Sequence, residues 1–102
     1  MKFKIIPLHS FKEQLEKLDS KSKKVIYDKI QLIKENPYRY KRIHSISYSK
    51  VFRVRLRIQS KEARLIYVII NPNIILACLL DRKKNYKDLE KYLKNISKDL
   101  SA

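Results

Sequence analysis

The 102-residue chain has no glycine and no tryptophan, one cysteine, one methionine and three prolines. Without glycine there is no Gly-rich phosphate loop and no dinucleotide-binding fingerprint. The single cysteine, Cys78, has no partner for an internal disulfide. It lies in the apolar run Ile74–Leu80, which predicts a buried, inert thiol in a reducing compartment. No stretch approaches the roughly 20 apolar residues that span a bilayer. The apolar run in MKFKIIPLHS is too short for a signal peptide. No membrane contact is expected, and the expected location is cytoplasmic. Acidic residues are also scarce, ten against 25 Lys and Arg. They are scattered, so the converging carboxylates of a metal site are missing, and neither metal nor cofactor is expected.

What is present in excess is positive charge, formally +15. All seven arginines lie between Arg39 and Arg82, while the flanks carry lysine only. Lysine is a hydrated point charge that keeps a surface soluble; arginine is a planar fork that grips phosphate or carboxylate through paired hydrogen bonds. From Pro37 through Lys61 there are eight Lys or Arg and no acidic residue. Such segregation favours a polyanionic partner. Hydrophobic content of 44% fits one folded domain over residues 1–102.

The pattern predicts the order β-α-α-β-β-β-α. Lys2–Leu8 reads as a short strand. Ser10 opens S-F-K-E, a capping-box pattern with Glu13 reaching back, and Phe11, Leu15 and Leu18 follow at helical spacing. Asp19 or Ser20 caps a second helix with a stripe of Val25, Ile26, Ile30 and Ile33, stopped by Asn36-Pro37. Tyr38–Ser49 is basic and aromatic, a loop with room for a short strand. Phe52–Ile58 alternates, with Phe52, Val54, Leu56 and Ile58 on one face and Arg53, Arg55 and Arg57 on the other. Gln59–Glu62 is a turn. Ala63–Ile70 is apolar enough to be covered on both faces, and Tyr67 within it reads as core. Asn71-Pro72-Asn73 turns the chain into a strand over Ile74–Leu80. Asn85 caps a last helix carrying Leu89, Leu93, Ile96 and Leu100, with Tyr92 beside them. The fold class is α+β: a small antiparallel sheet of N-terminal strand plus three-strand meander, an N-terminal helical hairpin and a C-terminal helix.

A helical hairpin ahead of F-R-V-R-L-R, then A-R-L-I-Y-V-I, then L-L-D-R-K-K-N-Y and a basic helix, resembles the RelE/ParE superfamily of type II toxins, and its RelE branch more closely. The resemblance covers nearly the whole chain. It implies a ribosome-dependent, metal-independent endoribonuclease that cleaves messenger RNA, and a small antitoxin partner with an acidic or amphipathic segment. The family's basic pair on the first meander strand falls on Arg53 and Arg55, where lysine is common in the family. Its next arginine falls on Arg64. Its basic residue after the last strand falls on Arg82, with Lys83 adjacent, and its C-terminal tyrosine falls on Tyr86. A glycine often found in the last loop is absent. The catalytic candidates are Arg64, Arg82 and Tyr86; the RNA-binding candidates are Arg53, Arg55, Arg57, Lys83 and Lys84.

RNA cleavage through the 2′-hydroxyl requires deprotonation of that hydroxyl, stabilisation of charge on the phosphorane and protonation of the leaving 5′-oxygen. Arginine forks suit the second task. Tyr86 serves as base only if nearby cations lower its pKa from about 10; stacking on a base is its other role, and packing its ring is a third reading. The arginine row is equally compatible with a solvated or carboxylate-paired face. A two-histidine mechanism would need His9 and His44 to meet, and both read as surface residues. Two other readings stand beside the ribonuclease: a ParE-like, non-enzymatic inhibitor of DNA gyrase, and a catalytically silent RNA-binding domain on the same fold.

Overall fold

The computed structural model describes residues 2–81 and 87–101, with the Ser101 side chain excepted. The elements are β1 (Lys4–Pro7), α1 (His9–Glu16), α2 (Ser20–Glu35), β2 (Lys41–Ile43), β3 (Val51–Ile58), β4 (Lys61–Ile70), β5 (Asn73–Asp81) and α3 (Leu89–Ser101). The expected order holds, with β2 added where room for a short strand was foreseen.

The sheet runs β1-β5-β4-β3-β2. Strands β2 to β5 pair antiparallel. β1, however, joins β5 in parallel, with Ile5 beside Ile74. The sheet is therefore mixed, a correction to the antiparallel expectation. The helical hairpin supplies the crossover: it carries the chain from the end of β1 back to the side where β5 begins, as a parallel neighbour requires.

One sheet face packs against α1 and α2 through Phe52, Val54, Leu56, Leu65, Tyr67, Ile69, Ile74 and Leu76, which meet Phe11, Ile26, Ile30 and Ile33. The other face packs against α3 through Val51, Ile66, Val68, Ile75, Cys78 and Leu80, which meet Leu89, Leu93 and Ile96. β4 is central and covered on both sides, as its unbroken apolar run required. The Tyr67 hydroxyl donates to the Pro37 carbonyl at 2.5 Å, and burial pushes its pKa up, so it is a core residue. Cys78 is buried as expected, and burial raises its thiol pKa as well.

The Asp19 side chain accepts from the Ser22 N–H at 3.1 Å and caps α2. The capping box at Ser10 does not form: α1 starts one residue earlier, at His9, without a side-chain cap. Ser10 has a different partner. The β4–β5 register slips between Ile66 and Tyr67, leaving Ala77 as the extra residue of a bulge. The Ser10 hydroxyl donates to the Ala77 carbonyl at 3.1 Å. One turn on, the Gln14 amide donates to the Leu79 carbonyl at 2.9 Å and accepts from the Leu79 N–H at 2.7 Å. β1 stops at Pro7, so the far half of β5 has no strand on that side. Two side chains of α1 take the place of the missing strand, satisfying backbone groups that would otherwise lack partners.

Candidate functional site

Strand β3 carries its arginines on the face shared with α3. Arg55 and Arg57 are exposed; Arg53 is half-buried. The β3–β4 turn sets what lies opposite them. Gln59 and Ser60 both take positive φ, 53° and 63°, and make a two-residue hairpin turn. Ile58 then pairs with Lys61, Arg57 with Glu62, Arg55 with Arg64 and Arg53 with Ile66. The turn is shorter than the Gln59–Glu62 expected from the sequence, because β4 begins at Lys61.

This register brings three candidates together. Arg64 lies directly across from Arg55 and diagonal to Arg53, so their Cβ atoms are roughly 5 Å and 7–8 Å apart. Lys41 of β2 lies across from Arg53 and extends the cationic row. Like charges directly opposite one another weaken a sheet. Two such pairs lie side by side, Arg55 with Arg64 and Lys41 with Arg53, so the register concentrates positive charge on this part of the sheet. Arg55, Arg57, Glu62 and Arg64, together with Leu56 and Ala63, line a shallow cavity of about 220 Å³. Arg57 stands at its outer end, where Glu62 across the ladder places a carboxylate beside it.

Arg82, Lys83, Lys84 and Tyr86 lie outside the described residues. β5 reaches Asp81, which pairs with Ala63, so Leu80 is the partner of Arg64. By alternation Asp81 is directed to the opposite face from Arg64. The two histidines are separate: His9 pairs with Glu13, and His44 lies near Glu90. Among the described residues, no group of three or more His, Cys, Asp or Glu side chains is placed to hold a metal ion. Nor, among them, is any helix long and apolar enough to cross a membrane.

Helix α3 is tied to the segment between β2 and β3 and to the start of α1 by polar contacts that sequence reasoning missed. Glu90, in its first turn, accepts from Ser47 Oγ at 2.7 Å, Ser45 Oγ at 3.1 Å and the Ile46 N–H at 3.3 Å. Burial opposes the Glu90 charge, but these bonds and the neighbouring His44 outweigh it and hold the carboxyl below its ordinary pKa. Tyr48 and Ser97 share a hydroxyl contact of 3.4 Å, and the His9 N–H donates to Asp99 at 3.0 Å. No local pattern marks Glu90 in the sequence, because its partners lie more than 40 residues away.

Among solved structures, the chain is similar to a double arginine-to-alanine mutant of the E. coli toxin RelE in the free state. The TM-score is 0.69 at 17% identity, over 94% of this chain and 99% of that one. The chain has the RelE fold. The isolated E. coli RelE toxin is similar at a TM-score of 0.64 and 15% identity, over 91% of this chain and 99% of that one. The intact E. coli RelBE toxin–antitoxin complex is similar at 0.63 and 14% identity, over 79% and 96%. No family model and no curated protein matches the sequence. The RelE fold thus accounts for the β-α-α meander order and the C-terminal helix. The arginine constellation is a property of this chain's own residues.

Proposed function

We propose that the chain is the toxin of a type II toxin–antitoxin pair, a metal-independent endoribonuclease that cuts messenger RNA on the ribosome through the RNA's own 2′-hydroxyl. The observation that carries this reading is the convergence of Arg53, Arg55 and Arg64 on one sheet face, with Arg55 exposed toward the β3–β4 turn. The likeness to RelE and to the RelBE complex supports it, and points to a small antitoxin as partner.

In this mechanism Arg53 and Arg55 hold the phosphates that flank the cleaved bond. Arg64 faces the scissile phosphate and meets the charge that develops on its oxygens as the 2′-oxygen attacks. Arg82 stands on the side of the leaving 5′-oxygen. Tyr86 either receives the 2′-hydroxyl proton or stacks on a base. Lys83 and Lys84 add charge along the strand. The P–O5′ bond breaks as the P–O2′ bond forms, leaving a 2′,3′-cyclic phosphate.

Single-turnover cleavage on programmed ribosomes tests the reading. Cleavage should persist in chelator, and a 2′-deoxyribose at the scissile position should abolish it. Arg82→Ala and Tyr86→Phe should slow cleavage with little loss of binding, because both roles belong to the transition state. Cleavage of the deoxy substrate, or a requirement for metal, would remove the mechanism. Inhibition of gyrase supercoiling by the same preparation, without cleavage, would replace the ribonuclease with the gyrase inhibitor.

A further inference from the structure

The segment Pro37–Arg42, P-Y-R-Y-K-R, is the strongest basic and aromatic run of the chain, and the arginine site uses only Lys41 from it. Tyr38 is 48% exposed although its ring is fixed on two edges. Phe3 meets it at 6.3 Å between centroids and Phe52 at 6.0 Å, both edge-on. Its backbone is fixed from both sides. The buried Pro37 carbonyl accepts from Tyr67, and the Arg39 N–H donates to Asn36 at 3.3 Å. The Lys50 ammonium lies 5.9 Å from the Tyr38 ring centre, and the Arg39 guanidinium 5.9 Å from that of Tyr40. Lys50 is itself anchored, its carbonyl accepting from the Ile69 N–H at 3.0 Å. Phe3 is flanked by exposed Lys2 and Lys4. The nearest acidic residue in the chain is Glu35, at the end of α2.

This ring is a half-exposed platform with the Lys50 ammonium over it and Arg39 next in the chain; a ring among cations is how proteins take an unpaired base and its neighbouring phosphates. An acidic protein would use the cations but has no need of a ring held ready. The platform is distinct from the arginine site. Tyr38 packs on Phe52, on the helical-hairpin face, whereas Arg55 and Arg64 occupy the other face. Along β3, at about 3.3 Å per residue, Lys50 lies roughly 10 Å from Arg53 and on the order of 20 Å from Arg57.

We propose that Tyr38, Arg39 and Lys50 form a second RNA-binding surface, in which one unpaired base stacks on Tyr38 and the adjoining phosphates are held by Arg39 and Lys50. A strand or loop of RNA can then be held on this surface while the arginine site is occupied.

The probe is a short single-stranded oligouridylate carrying a photoactivatable uridine, titrated against the full chain. Irradiation should place a cross-link on Tyr38, and Arg53→Ala with Arg55→Ala should leave that cross-link in place. Tyr38→Leu should weaken binding about ten-fold, and Tyr38→Phe, which keeps the ring, should bind as the unaltered chain does. Arg39→Ala and Lys50→Ala should each flatten the dependence of log affinity on log salt by about 0.7. Polyglutamate of equal charge should compete poorly. Cross-links confined to the arginine face, full affinity in a folded Tyr38→Leu chain, or equal competition by polyglutamate would each overturn the proposal. The cross-link is read on the unaltered chain, so it decides the matter even if Tyr38→Leu does not fold. Loss of the arginine-site reading would appear separately, as unchanged binding to the Arg53/Arg55 double variant.

Discussion

One face of the sheet is divided in two. Toward the start of β3, Val51, Ile66, Val68 and Ile75 are fully buried under Leu93 and Ile96 of α3. Toward the β3–β4 turn the same face carries Arg55, Arg57, Glu62 and Arg64, of which Arg55, Arg57 and Glu62 are exposed. The covered half behaves as core: each residue gains by leaving water. The open half is charged instead, with Arg55 opposite Arg64 and Arg57 opposite Glu62. Burial explains the first half without reference to any partner. The second half stays in water and is mostly cationic, which suits an anionic partner.

The contrast is sharpest in stability. Leu93→Ala should remove about 2–5 kcal/mol, the usual cost of a cavity at a fully buried leucine, read by urea unfolding. Arg64→Ala should remove much less, because the half-buried side chain gives up its own contacts but also its like-charge neighbour Arg55. A large loss at Arg64 would mean that its contacts hold the fold together and that the two halves do not differ in kind.

Gln14→Ala should come next, at about 1–3 kcal/mol, because both Leu79 backbone groups lose their partner. Hydrogen exchange at the Leu79 amide should accelerate with it. Wild-type protection there would show that β5 does not depend on α1 for its missing neighbour.

How far these features could be read in advance varies with their range. The alternation of Phe52–Ile58 and the stripe Ile26, Ile30, Ile33 are local patterns, and both stand in the structure. The parallel pairing of β1 was not legible, because Ile5 and Ile6 present the same apolar pattern to a parallel or an antiparallel neighbour. Ser10 and Glu13 matched a capping box in spacing, but the Ala77 bulge left a carbonyl that took the Ser10 hydroxyl instead. The arginines were visible on β3; the opposition of Arg55 and Arg64 was not. It depends on a two-residue turn at Gln59 and Ser60, neither a residue type that favours positive φ.

That turn supplies a smaller prediction. Ser60→Gly should stabilise the hairpin by roughly 0.5–1 kcal/mol, since glycine takes positive φ without steric penalty. Thermal unfolding should shift up by a few degrees. A decrease would mean that the Ser60 side chain contributes more than its backbone strain takes away.

The smallest effect concerns the α3 tether. Glu90 has a lowered pKa in the folded chain, so its contribution is present above its unfolded value of about 4.3. It is lost as pH falls through the folded value. Glu90→Gln should therefore lower stability slightly at pH 7, converge with the unaltered chain in acid, and so flatten the fall in stability on the acid side. An identical acid limb in both proteins would exclude Glu90 as a source of that pH dependence.

The central claim, that the open half of the sheet is a phosphate site, is tested most directly by the salt dependence of single-stranded RNA affinity. Each arginine that holds a phosphate adds about 0.7 to the slope of log affinity against log salt. Arg55→Ala and Arg64→Ala should each lower the slope by that amount. Lys24→Ala, a control on exposed α2 where Lys24 pairs with Asp28 at 3.3 Å, should lower it much less. Equal slopes from all three variants would mean diffuse attraction by a basic surface, and would contradict the account.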